Sequence, residues 1–285
     1  MKIAIIGYYY DAMGQESSNC FSVMSMLLTK ALRARNHTVY PYHILNGGVG
    51  SESVDIVITI LFDSDNINGG QFWKNKLNAK RSVSFLETPN GGCDFSFIFN
   101  PDFSKYLKSP HLLLKFPIPD KYVYSKEPKS IFLDHCWPEY KMKSHQKDIS
   151  ENISNWFLGS EYKIYKHVRF EEDFKMIKPS ETPIPVQPYF DYINTIKSID
   201  CLVVTHTESF AYGVLDFVSV NSKIVAPENF LPNFLISNFN IRTFTNKTTL
   251  LKQLSEYTKV SYDMSKFHTY DQIAEIMEGY FKSWI

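Results

Sequence analysis

The amino-terminal part of the chain alternates short apolar runs with polar segments. Continuous apolar runs cover Lys2–Gly7, Asp55–Leu61, Ser82–Leu86 and Phe95–Phe99. Runs of this length without polar alternation are typical of strands buried on both faces of a parallel sheet. Apolar residues recur at spacings of three and four over Phe21–Ala34, which predicts a helix after the first strand. The pattern therefore predicts an α/β domain.

A second α/β pattern follows in the carboxyl-terminal half. Ser130–Asp134 and Cys201–Val204 are apolar runs that predict buried strands, and Lys223–Ala226 predicts a third. From Phe210 onward, apolar residues recur at helical spacing until Asn221. This order of strand, loop, helix and strand predicts a βαβ unit, and open α/β sheets bind ligands at the carboxyl ends of such strands.

Other segments carry weaker patterns. Leu112–Asp120 leads into a proline-containing stretch and is interpreted as the connection to a second domain. Lys175–Ile177 predicts a short strand, whereas Pro179–Pro188 contains four prolines and predicts no regular structure. Phe230–Phe244 is aromatic and predicts an irregular segment. Three further segments predict helices: Tyr189–Ile196, Thr248–Tyr257 and Tyr270–Trp284.

Composition narrows the class of protein. Lys plus Arg equals Asp plus Glu at 30 each, which disfavours binding to nucleic acid through bulk charge. The four cysteines are widely spaced and form no metal-binding or disulfide pattern, which favours reduced thiols in the cytoplasm. The sequence has no apolar run of membrane-spanning length, and the first strand follows the initial Met directly, so we expect no signal peptide or transmembrane segment.

Two acids mark the predicted βαβ unit as a candidate binding site. Glu208 lies in its loop, and Asp216 lies eight positions further, about two helical turns along the same face. The residues between them, Ser209–Gly213, would supply the unpaired N–H groups of a helix N-terminus, which favours a phosphate. The structural alternative is that Glu208 caps the helix and Asp216 is a solvated surface acid.

The stretch THTESFAYGVLDFVSVNSKIVAP resembles the Glu-x7-Glu region of retaining, nucleotide-sugar-dependent glycosyltransferases of the GT-B fold. Glu208-Ser209-Phe210 matches the start of that region, and Asp216 takes the place of the second Glu. Ala211 stands where Gly is usual, and the following turn lacks its Gly-Pro. The resemblance implies two Rossmann-like domains facing a cleft: residues 1–120 for the acceptor, 121–265 for the donor, and 266–285 as a terminal helix that packs back toward the first domain.

The resemblance also implies roles for individual residues. Glu208 would accept a hydrogen bond from a donor-sugar hydroxyl, and Asp216 would accept from the ribose. The segment after Asp134 has Pro-Glu and lysines in the family's phosphate-binding positions, but His135 stands near the place of the usual Arg. The candidate catalytic residues are Glu208 and His206, and the candidate donor-binding residues are Asp216, Ser209, Phe210, Ala211, Tyr212, Gly213, His135, Lys141 and Lys143.

The acceptor would bind at the ends of strands in the first domain. Gly14-Gln15 takes the place of a loop glycine that lies beside the cleft in the resembling enzymes, although a plain strand-to-helix loop is the alternative. Glu87, Thr88 and Asn90 follow a predicted strand and would face the same cleft, unless ETPNGG is only a turn. The acceptor itself is a glycan, a small molecule or a modified nucleic-acid base.

The expected reaction transfers a sugar from a nucleotide diphosphate sugar to a hydroxyl, with retention. In that chemistry the leaving diphosphate assists deprotonation, so the protein orients groups and stabilises charge without a cofactor or a required metal. Asp63-Ser64-Asp65 is interpreted as a surface turn, and the absence of G-x-G-x-x-G disfavours an NAD enzyme. Two alternatives stay open: a GT-B-like nucleotide-sugar epimerase, and a non-catalytic GT-B-like binding subunit.

Overall fold

The computed structural model describes residues 1–9, 20–44, 53–60, 69–86, 92–119, 124–134, 149, 152–168, 174–175, 177–207, 212–258 and 260–285. The chain divides into two compact units. The first unit combines Met1–Pro119 with Ser265–Ile285, and the second is Asp120–Met264.

The first unit contains a parallel sheet with the strand order β2-β1-β3-β4-β5-β6 among the described residues. Its strands are β1 (Lys2–Gly7), β2 (Thr38–His43), β3 (Ile56–Thr59), β4 (Arg81–Leu86), β5 (Phe95–Ile98) and β6 (His111–Leu113). Helices α1 (Cys20–Ala34) and α2 (Gly69–Lys76) pack on it. The central strands are apolar on both faces because helices cover both sides of such a sheet: Ile5 and Ile58 are fully buried.

The end of the chain belongs to the first unit. Strand β14 (Phe267–Thr269) pairs in parallel with β7 (Phe116–Ile118), and helix α7 (Tyr270–Trp284) follows it directly. Thr269 caps α7 through a capping box with Gln272. Met277 and Phe281 of α7 are fully buried, as its amphipathic pattern requires.

The second unit also contains a parallel sheet, with the order β10-β9-β8-β11-β12-β13 among the described residues. Its strands are β8 (Glu127–Leu133), β9 (Lys163–Val168), β10 (Glu181–Pro185), β11 (Ile199–Val203), β12 (Lys223–Pro227) and β13 (Arg242–Phe244). Its helices are α3 (Tyr189–Ile196), α4 (Tyr212–Ser219), α5 (Asn233–Phe239) and α6 (Lys247–Glu256), and residues 152–156 are also helical. This is the Rossmann strand order, and its reversal point lies between β8 and β11.

The βαβ unit predicted around Asp216 is present as β11, α4 and β12. Strand β12 pairs with β11 in parallel, so that Leu202 lies opposite Ile224. Helix α4 presents Val214, Phe217 and Val218 to the interior, each at most 2% exposed. Because α4 is apolar around most of its circumference, it is held firmly against the sheet.

The prediction for Pro179–Pro188 was wrong, because Glu181–Pro185 forms the edge strand β10. Pro183 and Pro185 lie opposite Lys166 and Val168 of β9. An edge strand has one side without a neighbouring strand, so a residue that lacks an N–H is tolerated there. A proline-rich segment can therefore complete the sheet.

Two further predictions were wrong in detail. The predicted irregular segment over Phe230–Phe244 contains α5 and β13, because long-range pairing outweighed a weak local pattern. Within Lys175–Ile177, where a short strand was predicted, Lys175 is helical and Ile177 is not in a strand. The stretch interpreted as the connection between domains, Leu112–Asp120, carries part of β6 and all of β7, and the two units divide within it, after Pro119.

Candidate functional site

Polar side chains meet at the carboxyl ends of β8 and β11, on either side of the point where the strand order reverses. Asp134 directly follows β8, and Thr205 and His206 follow β11. The Thr205 hydroxyl donates to the backbone carbonyl of Asp134 over 2.5 Å, which ties the two strand ends together. In open α/β sheets this crevice is the position where ligands bind.

Asp134 and His206 form a pair of titratable groups at this edge. The distance between His206 Nε2 and Asp134 Oδ2 is 3.9 Å. The His206 side chain is 2% exposed, whereas that of Asp134 is 24% exposed. The carboxylate and the imidazole thus lie close enough together for both to contact one bound molecule.

The first turn of α4 lies beside the same carboxylate. Gly213 follows Tyr212, the first residue of α4, and a β-carbon at Gly213 would lie 3.6 Å from Asp134 Oδ2. Because glycine has no side chain, the backbone of this turn approaches Asp134 directly. The helix N-terminus and the strand end therefore share one edge of the unit.

Asp216 lies one turn further along α4 and is buried. It is 4% exposed, and its Oδ1 accepts a hydrogen bond from the Tyr189 hydroxyl over 2.7 Å. The pKa of Asp216 is raised to about 7, because burial and, to a smaller extent, the nearby Asp134 charge raise it by more than the Tyr189 hydrogen bond lowers it. The burial excludes the alternative in which Asp216 is a solvated surface acid.

Of the residues predicted from sequence, the structure brings His206, Gly213 and Asp216 to one edge, and Tyr212 begins α4 there. The other predicted site residues lie outside the described residues and stay predictions: Glu208, Ser209, Phe210, Ala211, His135, Lys141, Lys143, Gly14, Gln15, Glu87, Thr88 and Asn90.

Sequence reasoning missed Asp134 and Tyr189 as members of this group. Asp134 carried a usable signal, since it is the first polar residue after an apolar strand. Recognising it also required the knowledge that β8 and β11 are neighbours. Tyr189 had no local signal, because it lies 27 positions before Asp216 and begins a different helix.

Among the described residues, no three His, Cys, Asp or Glu side chains are grouped in a way that could hold a metal ion. Within the same part of the chain, no helix combines the length and the apolar character that a membrane crossing requires.

Two Rossmann-like units built on parallel sheets, the second with a polar edge at its reversal point, define a GT-B type of fold. Solved structures agree with this assignment. The UDP-GlcNAc 2-epimerase from Methanocaldococcus jannaschii has a TM-score of 0.62 at 11% identity, covering 99% of this chain and 100% of that chain. WaaG, a glycosyltransferase involved in lipopolysaccharide biosynthesis, has a TM-score of 0.53 at 12% identity, covering 99% and 95%.

A third similar structure is Alr3699/HepE from Anabaena, with a TM-score of 0.57 at 9% identity, covering 99% of this chain and 95% of that chain. Neither a protein-family model nor a curated protein matches this sequence. At these identities the comparisons establish the fold and leave activity to the chemistry of the site.

Proposed function

We propose that this protein transfers a sugar from a nucleotide diphosphate sugar to an acceptor hydroxyl, with retention at the transferred carbon. The observation that carries the proposal is the grouping of Asp134, His206, Gly213 and Asp216 at the reversal point of the second sheet. A helix N-terminus favours phosphate, and the acids around it supply acceptors for sugar hydroxyls.

In this proposal the second unit binds the donor. The diphosphate lies over the first turn of α4, flanked by His135 and by Lys141 or Lys143. Asp216 accepts from the ribose hydroxyls and is most effective when ionised, so ribose binding favours loss of its proton. Tyr189 holds the carboxylate in place from α3.

Glu208 orients the donor sugar by accepting from one of its hydroxyls, and His206 lies at the same edge as a candidate catalytic residue. The imidazole of His206 would donate a hydrogen bond toward charge that develops on the leaving group. The leaving diphosphate takes the proton of the incoming hydroxyl, so neither a cofactor nor a metal is required. The acceptor, a glycan, a small molecule or a modified base, contacts Gly14, Gln15, Glu87, Thr88 and Asn90.

The ligands of similar structures support a nucleotide-sugar donor. One structure of the M. jannaschii epimerase is a complex with UDP-GlcNAc and UDP, and the HepE structure is a complex with UDP and glucose. These are ligands of those proteins. They make uridine nucleotides the first compounds to test here.

Glu208→Gln tests the proposed role of Glu208 in orienting the donor sugar. We expect the variant to bind free nucleotide as the parent does but to release nucleoside diphosphate from nucleotide sugar much more slowly, because the group it orients is the one that reacts. Release is measured with a mixture of acceptor hydroxyls, and Glu256→Gln on the exposed surface of α6 is the matched control. Full turnover in folded Glu208→Gln would refute the role of Glu208.

Nucleotide-sugar epimerisation is a second candidate, favoured by one observation. A carboxylate and an imidazole, those of Asp134 and His206, lie 3.9 Å apart, and an epimerase needs an acid and a base beside the sugar. Incubation of the protein with nucleotide sugar alone, followed by NMR of the sugar, separates the two activities. A second sugar isomer without acceptor favours epimerisation, whereas nucleotide binding without any turnover favours a non-catalytic binding subunit.

A further inference from the structure

A pocket of about 510 Å³ lies at the opposite edge of the second sheet from Asp134 and His206. It is formed where β8, β11 and β12 begin, and the carboxyl end of α6 closes one side. Among its lining residues are Lys126, Ile131, Asp200, Lys223 and Leu254. The volume lies within the range of small-molecule sites, and nothing in the proposed transfer reaction uses this edge.

The charges in the pocket leave one lysine without a direct carboxylate. Asp200 is paired with Lys223 at 2.9 Å, and Glu161 is paired with Lys129 at 2.5 Å. Lys126 Nζ instead donates to the Lys197 carbonyl over 2.8 Å and to the Ser222 hydroxyl over 2.7 Å, both neutral acceptors. Counted over the described lining residues, three lysines face two carboxylates, which leaves one positive charge.

The environment of Lys126 disfavours its charge in the absence of an anion. Burial lowers the pKa of Lys126 to about 8, and the Asp200 carboxylate raises it only in part. The ammonium is therefore mostly charged at neutral pH but incompletely compensated. A bound anionic group in direct contact would compensate it through a charge-assisted hydrogen bond.

The backbone is shaped around this pocket. Pairing between β8 and β11 shifts register, since Glu127 lies opposite Ile199 but Ile131 lies opposite Cys201. In the extra length of β8, Lys129 has a φ of 59°, a left-handed conformation that costs about 1–2 kcal/mol for a residue with a side chain. Ser130 Oγ accepts from the Asp200 N–H over 2.9 Å and so holds the bulge. Bulges of this kind occur next to functional sites more often than elsewhere.

The rest of the lining mixes apolar and aromatic residues with three hydroxyl residues, Ser130, Ser255 and Thr258. Ile131 and Leu254 are buried, and the partly exposed Tyr162 also lines the pocket. Such a surface suits a ligand with an apolar body attached to its charged group. We propose that this pocket is a second binding site, separate from the donor site, for a small organic anion whose charged group contacts Lys126 and whose apolar body packs against Leu254 and Tyr162.

Benzoate and phenyl phosphate are suitable probes, with the neutral benzyl alcohol for comparison. We expect both anions to shift the methyl NMR signals of Ile131 and Leu254 saturably, while the methyl signals of Leu215 on α4 stay unchanged for benzoate. Lys126→Met should weaken the binding of both anions by a factor of about ten or more, because it removes one charge-assisted hydrogen bond. Lys252→Met is the matched control, since Lys252 lies on the exposed side of α6 and does not line the pocket.

Ser255→Trp keeps the experiment decisive if Lys126→Met fails to fold. Ser255 is an exposed residue of α6 that lines the pocket, so an indole there fills the space without removing any lysine. Loss of anion binding in Ser255→Trp together with retention in Lys252→Met supports the proposal. Unchanged affinity in Lys126→Met or in Ser255→Trp, equal binding of benzyl alcohol, or no saturable shift with either anion would overturn it.

Discussion

At the scale of single residues, Asp216 links the stability of the second unit to its proposed chemistry. The carboxyl group is buried inside the edge of the sheet with one hydroxyl partner, Tyr189. Asp216, which is proposed to accept hydrogen bonds from a ligand, is therefore close to half-protonated at neutral pH in the free protein. Polar groups that are costly in the free protein are characteristic of functional positions.

Asp216 should make stability depend on pH in a defined window. Its pKa is about 7 in the folded state and 3.8 as the reference value, so the folded state holds one more proton between those values. The stability that the protonated Asp216 contributes to the folded state is fully present below about pH 4, declines as the pH rises toward about 7, and is absent above it. Asp216→Asn should therefore gain stability relative to the parent as the pH rises, by up to about 4 kcal/mol.

Urea unfolding of both proteins at several values between about pH 4.5 and 8 measures this difference. Asp191→Asn, a substitution of an exposed acid on α3, should run parallel to the parent over the same range. Parallel curves for Asp216→Asn and the parent would contradict the buried, raised-pKa state of Asp216.

At the scale of elements, the first turn of α4 contains a glycine that destabilises the helix and that would let a ligand approach the backbone. Gly213 lowers the helix propensity of α4 by about 1 kcal/mol relative to Ala. A methyl group there would make only ordinary van der Waals contact with Asp134, at 3.6 Å. Packing therefore does not require glycine, and close approach of a ligand to this turn would explain it.

Gly213→Ala should separate stability from binding. We expect it to stabilise the protein by about 0.5–1 kcal/mol and to weaken nucleotide diphosphate binding. Gly279→Ala on α7 is the matched control, since no atom lies within 4 Å of its added methyl group, and it should stabilise without affecting binding. Thermal unfolding and calorimetric titration give the two quantities. Unchanged nucleotide affinity in Gly213→Ala would argue against a ligand at this turn.

Elements with strong local patterns were predicted well from sequence. Lys2–Gly7 and Tyr189–Ile196 have the predicted bounds, because a buried strand and a strongly amphipathic helix are both encoded locally. Strand β10 could not be predicted, since tolerance of Pro183 and Pro185 depends on an edge position that only the assembled sheet defines. Strand β13 was not predictable from local pattern either, because it is only three residues long and is defined by its pairing with β12.

At the scale of the whole molecule, the sequence predicted two α/β domains but only part of the candidate site. His206, Gly213 and Asp216 come from one contiguous stretch, so a local motif was sufficient to find them. Asp134 and Tyr189 join them through strand order and helix packing, which depend on contacts across 27 to 72 positions. The pocket beside Lys126 was not predicted, since it arises from a bulge between two strands.

The carboxyl-terminal helix is held on the first unit by a partly buried ion pair. Both Nε and Nη2 of Arg35, which follows α1, donate to Glu278 Oε2 of α7, over 2.8 and 2.5 Å. The Glu278 side chain is 12% exposed.

Glu278→Gln should lower the free energy of unfolding by about 1–3 kcal/mol, because it leaves the guanidinium without its charged acceptor. Glu275→Gln, at an exposed position of the same helix, is the control and should change stability little. Equal stability of both variants would show that α7 is held by its apolar face alone.

The central claim is that the edge of the second sheet around Asp216 binds the nucleotide of a sugar donor. The most direct measurement is calorimetric titration of uridine diphosphate, or of whichever nucleotide raises the melting temperature most, at about pH 8, where Asp216 is mostly ionised. We predict saturable binding to the parent and to Asp191→Asn. In Asp216→Asn we predict that the affinity falls by a factor of about ten or more. Equal affinity in Asp216→Asn, or no binding of any nucleotide to the parent, would contradict the account.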